Sequence, residues 1–290
     1  MGLRLKFNLV LLLVFALGLG VTGWISHNLL YRNAQEEVLR NAGLMMEAAL
    51  SMRGYTNTQI RPLIPFNDAV FHSQSVPAYA ATEIMNALRV KYPDYAYKEA
   101  TLNPTNPRDK AVDWEADIVN VFRNDPNQSE ISGVRDTPTG PSLFLAHPMQ
   151  IKSEACLTCH TTAESSPPAM VKLYGANNGF GWKHLEVVGA QIVSVPMALP
   201  IKNANRAFYT FMASLSIVFL VLFAILNAMM SLLIVRPIRR MSAAASAIST
   251  GNMEIPEFSE RGGDEISLLA KSFNRMRRSL EKAIELIDKA

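Results

Sequence analysis

The sequence predicts an α+β protein in three parts: two transmembrane helices flanking a mixed helix–strand domain, then an all-α segment. Three observations carry this. Two long stretches hold no charge, the residues between them alternate helical and strand patterns, and the last fifty or so residues repeat apolar positions at steps of three and four.

The first uncharged stretch, Phe7 to Ile25, has 19 residues and follows Arg4 and Lys6. A bilayer core of about 30 Å takes roughly 20 apolar residues as a helix. A cleaved secretory signal is the alternative, but the run is long for one and no A-x-A site follows it. The second stretch, Ala207 to Val235, has 29 uncharged residues, with Phe208 and Tyr209 at one end as interfacial aromatics. Asn227 is its one strong hydrogen-bonding side chain deep in the span, able to bond across a dimer or to its own helix. Arg236, Arg239 and Arg240 follow the second stretch. Basic residues at both outer ends predict cytoplasmic termini and an external middle, which in a bacterium is the periplasm, on a two-pass inner-membrane protein. The expected division is 1–30 for the N-terminal tip and first span, 31–206 for the periplasmic domain, 207–235 for the second span and 236–290 for the cytoplasmic bundle.

With 28 Lys and Arg against 25 Asp and Glu, the net charge of +3 does not suggest a nucleic-acid partner.

Within the middle segment, residues 31–60 continue as a helix until Arg61-Pro62, because the residue before proline disfavours the helical region. Helices are expected over 76–92 and 113–124. Strands are expected over 95–102, 130–136, 142–151 and 186–197 from β-branched content and alternation. "NPTNPRD" and "ESSPPA" read as loops.

"CLTCH" holds the chain's two cysteines, Cys156 and Cys159, followed by His160. A structural zinc site needs four ligands, and no second pair stands at matched spacing, with His72, His147 and His184 scattered. A dithiol switch needs only C-x-x-C but usually opens a helix in a βαβ setting, which is not seen here. Covalent haem attachment uses all three residues: each thiol adds to one vinyl group and the adjacent His falls under the iron. One haem c per chain is therefore expected, with Cys156, Cys159 and His160 as its binding residues and His160 as the proximal iron ligand.

"RPLIPF", "VPAYAA", "YPDYAYKEATLNPTNPRDKAVDWE", "CLTCH" and "NNGFGWKHLEVVGAQIVSVPM" resemble the periplasmic haem c sensor domain family over most of residues 35–200. The resemblance implies a PAS-like fold, a central antiparallel sheet with a long N-terminal helix, and redox or ligand sensing. Some relatives offer a cysteine to the sixth iron position from the first helix; this chain has no third cysteine. The candidates are Met45, Met46, Met52, His72, His147, Met149 or water, with Met46 or His72 preferred. Propionate partners are sought among Arg61, Lys98, Arg108 and Lys172.

After the second span, Pro237, Gly251 and "GDEISLLAKSFNRM" resemble a HAMP linker, with Ser267 where that family often has Gly. The spacing points the same way. Ile238, Met241, Ala245 and Ile248 form one heptad seam, and Leu269, Phe273, Met276, Leu280, Ala283 and Ile287 form another. Two such helices predict a parallel four-helix bundle in a homodimer; an amphipathic pair packed within one chain is the alternative. The expected function is a membrane-bound haem sensor of redox state or a small ligand, not an enzyme. It signals through the HAMP segment to a cytoplasmic partner of kinase or chemotaxis type. A membrane-anchored cytochrome acting as electron carrier is the alternative.

Overall fold

The computed structural model describes residues 2–64, 70–125 and 127–288. Residues 65 and 66 of "RPLIPF" and the side chain of Ile287 in the second seam lie outside the described residues. The chain divides into two units, one of residues 27–207 and one of residues 1–26 with 208–290.

The unit of residues 27–207 is built on a four-stranded antiparallel sheet of order β1-β4-β3-β2, with β1 at Ala96–Thr101, β2 at Ile131–Thr137, β3 at Gly140–Gln150 and β4 at Val187–Pro196. The central strand β4 is buried on both faces, and its sequence is correspondingly a near-continuous apolar run. Side chains alternate across the sheet, and this sorts the core into two clusters. Tyr97, Leu143, Leu145, Val193 and Val195 point to one face and pack on α1 (Leu3–Tyr55) and α2 (Pro77–Lys91). Ala100, Ala146, Ala190 and Ile192 point to the other and pack on Ile118, Val119 and Phe122 of α3 (Asp113–Asn124). The Glu115 carboxylate caps α3, accepting from Val112 N at 2.9 Å and from Lys98 Nζ at 2.6 Å.

The α1 stripe Val38, Ala42, Met46 and Ala49 is fully buried against the sheet, and Arg53 continues the same stripe. The helix changes form after Tyr55, to a π-helical turn over Thr56–Ile60 and a 3-10 turn over Arg61–Leu63. Two short helices complete this unit. One is α4 (Leu157–His160), which carries part of "CLTCH"; the other is α5 (Pro168–Tyr174), where the sequence had read a loop ahead of residue 170. Pro168 is the reason: the residue that marks loops also suits the first position of a helix, where no N–H is needed.

α6 (Ala198–Met229), which lies in the other unit from residue 208 on, passes through a π-helical turn over Met230–Val235 into α7 (Arg236–Ser249), and α8 is Glu265–Asp288. Among the described residues two helices are long and apolar enough to cross a membrane by length and composition, one beginning at Arg4 and one at Ala198. Phe15 and Phe219 stack at 4.8 Å. Asn227 bonds its own helix, donating to Phe223 O at 3.0 Å.

Gly251, at φ +92°, ends α7: its N–H reaches Ile248 O and that of Asn252 reaches Ala247 O, both at 3.0 Å. The fully buried Asn274 of α8 ties down the connector, bonding Phe258 N at 3.1 Å, Phe258 O at 2.8 Å and Glu260 Oε1 at 3.0 Å. Phe273 meets Phe258 edge-on at 5.4 Å. Ser267, in the position where glycine was noted, closes the N-terminal turn by donating its N–H to Asp264 Oδ1 at 2.8 Å.

Within the chain, α7 buries Met241, Ala244 and Ile248, and α8 buries Ala270 and Asn274. Of the expected seam positions, Ile238, Leu269, Met276 and Leu280 remain 40–49% exposed within the single chain.

Candidate haem site

The face of the sheet that is apolar under α1 becomes polar further along, where Glu99, Gln191 and Met149 stand in line with Tyr97, Val193 and Leu145. A cavity of about 650 Å³ opens there. Leu50, Arg53, Gly54, Asn57 and Arg61 form its α1 side, at helical steps of three and four. Cys156, Cys159 and His160 also line it.

Cys156 caps α4, and Cys159 and His160 follow at i+3 and i+4, so all three occupy one face of one turn. Ser166 fixes that turn, donating to Cys159 O at 2.9 Å. Burial pushes the Cys159 thiol up, with the charge of Arg61 pulling against it. That net direction is opposite to the one that makes a reactive thiolate, and it disfavours a dithiol switch. Among the described residues no three His, Cys, Asp or Glu gather to hold a metal ion, so the four-ligand zinc arrangement is not formed there.

His160 is tightly oriented. Its Nδ1 lies 2.7 Å from Gly179 O, and a carbonyl can only accept, so Nδ1 carries the proton. Nε2 is left with a lone pair for a metal. Burial lowers the His160 pKa, which keeps the ring neutral, although the bond to Gly179 works in the opposite direction. Trp182 stacks on the ring at 3.9 Å and 12°. Two main-chain bonds join the segments, Trp182 N to His160 O at 3.2 Å and Gly181 N to Thr161 O at 2.9 Å.

The loop behind His160 depends on a close approach. Gly179 has φ +84°, and a Cβ there would stand 2.7 Å from Thr105 Cα. Asn103 holds both strands of the contact, accepting from Gly179 N and donating to Phe180 O, each at 3.1 Å. Asn103, Thr105, Gly179 and Trp182 were not singled out from sequence, although all sit inside the quoted motifs; the dense Asn, Pro and Gly in those motifs was the available signal.

The preferred sixth-ligand candidates lie away from the cavity wall. Met46 is fully buried in the apolar cluster, seven residues before Arg53 and thus roughly 10 Å short of it along the helix. His72 is exposed. Neither is among the described residues that line the cavity, and His147 instead faces Glu130 at 3.2 Å. Of the named candidates Met149 lines the wall; Met170, not named, also does. Of the propionate partners, Arg61 and Arg108 line it, whereas Lys98 is paired with Glu115.

The three residues on one turn, the neutral oriented imidazole, the arginines and the size of the cavity fit a covalently held haem, within the range of volumes typical of cofactor sites.

The Tll0287-like family matches residues 31–196, more than half of the chain. The chain belongs to the Tll0287-like family. The HAMP domain family matches residues 229–282. The crystal structure of the cyanobacterial heme-protein Tll0287 aligns with 55% of this chain and 95% of that one, at 14% identity and a TM-score of 0.44. No curated protein matches significantly. This chain thus joins a Tll0287-like domain to a HAMP domain, the second candidate membrane helix lying between them in sequence.

Proposed function

We propose that this Tll0287-like protein is a two-pass inner-membrane sensor. One haem c is bound covalently by Cys156 and Cys159 in the periplasm, with His160 as proximal ligand, and its state is read by a cytoplasmic HAMP homodimer. The observation that carries the reading is the placement of Cys156, Cys159 and His160 on one turn in the cavity wall, with Nδ1 of His160 committed to Gly179 O. The match of the Tll0287-like family over residues 31–196, the segment that holds the cavity, supports it.

A bound haem would supply a one-electron couple and an iron able to take a further ligand. The chain supplies the rest. His160 presents Nε2, and Met149 is the named side chain available on the wall for a sixth ligand. Cavity residues stand on the two elements that continue into the apolar helices. Arg53 and Asn57 belong to α1 and the turn that follows it. Gln191 belongs to β4, which meets α6 through Met197. A change in cavity packing thus bears on both helices, and the HAMP segment is the element with two packings of similar free energy.

The exposed face of α8, with Leu269, Met276 and Leu280 at 41–49% exposure, lies away from the contacts with the connector and supports a second copy as its cover. No catalytic step is assigned to the chain, and the output is read by a cytoplasmic kinase or chemotaxis-type partner.

Absorbance spectra of the purified protein, oxidised, reduced and treated with CO, test the reading. A c-type spectrum with bands that shift between states is expected. The absence of haem bands after expression with a haem maturation system overturns it. A haem that exchanges electrons rapidly with quinol or cytochrome partners, and leaves the HAMP segment unchanged, would favour the electron-carrier alternative.

A further inference from the structure

Among the described residues four cationic side chains line the cavity: Arg53, Arg61, Arg108 and Lys152. Two are tied to the cysteine side. Arg53 lies within electrostatic reach of Cys156, and Arg61 of Cys159. The charges that act on Arg108 come from Glu83, Asp109 and Tyr79 instead. A haem held through its vinyl groups presents its two carboxylates from the opposite edge, so an anchor for them belongs away from the cysteines.

Arg108 is built for that task. It sits on the 3-10 turn Pro107–Asp109, whose start is fixed by Asn106 Oδ1 accepting from Arg108 N at 3.2 Å. Its guanidinium lies over the Tyr79 ring at 4.8 Å, is ion-paired with Glu83 and stands 3.7 Å from Asp109 Oδ1. The Glu83 side chain is 45% exposed, so this pair is weak and readily exchanged for a better carboxylate. A planar guanidinium already held by ring stacking offers a two-pronged carboxylate site. Asp109 lines the same wall at 19% side-chain exposure.

We propose that Arg108 binds a haem propionate and that Asp109 beside it takes up the proton that accompanies haem reduction. The proposal rests on the haem reading above. In the step, an external one-electron donor reduces the iron, bulk water supplies the proton, and the Asp109 carboxylate becomes a carboxylic acid. Burial already pushes the Asp109 carboxyl up to about 6, against the pull of Arg108. Glu99 and Glu83, facing it from β1 and α2, raise it, and Lys98 from β1 lowers it. Reduction removes one positive charge from the iron and raises it further, so the reduced protein holds a proton that the oxidised one releases.

The test uses the full-length holoprotein in detergent, with Asp109→Asn, Arg108→Gln and Arg108→Lys. Covalent haem content is measured first, then midpoint potential from pH 5 to 8. The wild-type potential is expected to fall as pH rises past about 6. The slope should approach the one-electron equivalent of a tenfold change, about 59 mV per pH unit. Asp109→Asn should flatten the slope. Arg108→Gln should lower the potential at every pH with haem content unchanged, and Arg108→Lys should keep most of the wild-type value. Attached haem with a flat wild-type profile, or with equal profiles in wild type and Asp109→Asn, overturns the proton role. An unchanged potential in Arg108→Gln overturns the anchor. Absence of attached haem in the wild type overturns the haem reading itself and this proposal with it.

Discussion

Arg53 of α1 is ion-paired with Glu99 of β1 in the cavity wall, and the Glu99 side chain is only 4% exposed against 29% for Arg53. Tyr97 adds a second bond, its hydroxyl donating to Glu99 Oε1 at 2.8 Å. The pair joins the helix that carries the first apolar stretch to the sheet.

The asymmetry of this pair gives the first prediction. Arg53→Met strands a buried carboxylate and should cost about 3–5 kcal/mol. Glu99→Gln leaves an arginine that can turn to water and should cost less. The double variant should recover part of the Arg53→Met loss. Denaturant unfolding of all three checks the order, and equal losses in the two single variants would contradict it.

Gly179→Ala is expected to disturb His160 without touching it. The positive φ and the collision with Thr105 together should cost about 1–3 kcal/mol. The carbonyl that receives Nδ1–H moves, so the absorption bands or midpoint potential should shift while the haem stays covalently attached. An unchanged spectrum and potential would mean that Gly179 O does not set the imidazole.

In the HAMP segment, Phe273→Asp removes the half-buried ring that meets Phe258 and should destabilise the bundle by less than the roughly 3–5 kcal/mol of a fully buried Phe. The haem spectrum should not change. Cysteine placed at Leu280 should cross-link two chains, at a rate that differs between oxidised and reduced protein. Equal rates in both states would leave a dimer without a signal.

Topology is checked with reporter fusions at residue 120 and at the C-terminus. The basic residues at both outer ends predict activity on opposite sides of the membrane. The same side for both would contradict the two-pass arrangement.

Much of this was legible because the relevant signals are local. "CLTCH" specifies one helical turn by its own spacing, and the four strands announced themselves by alternation in short apolar runs. Position along a helix was less legible. Met46 and Arg53 share a stripe on α1, and periodicity gives the stripe; where the apolar packing ends and the cavity begins depends on the sheet opposite. The π-helical turns at 56–60 and 230–235 have no compositional mark, since they add one residue to a hydrogen-bonded ring without changing the pattern. The burial of Asn274 beside Ala270 on α8 was hidden for another reason. A heptad pattern shows which positions are apolar, whereas a buried Asn is recognised only through the connector it binds.

The most direct test of the central claim is the intact mass of the full-length protein purified after expression with a haem maturation system, read beside a haem stain of the denatured gel. The account predicts one haem added per chain, a stain that survives denaturation, and weaker attachment in Cys156→Ala. A chain of unmodified mass, with both Cys156 and Cys159 free to react with a thiol reagent under those conditions, would contradict it.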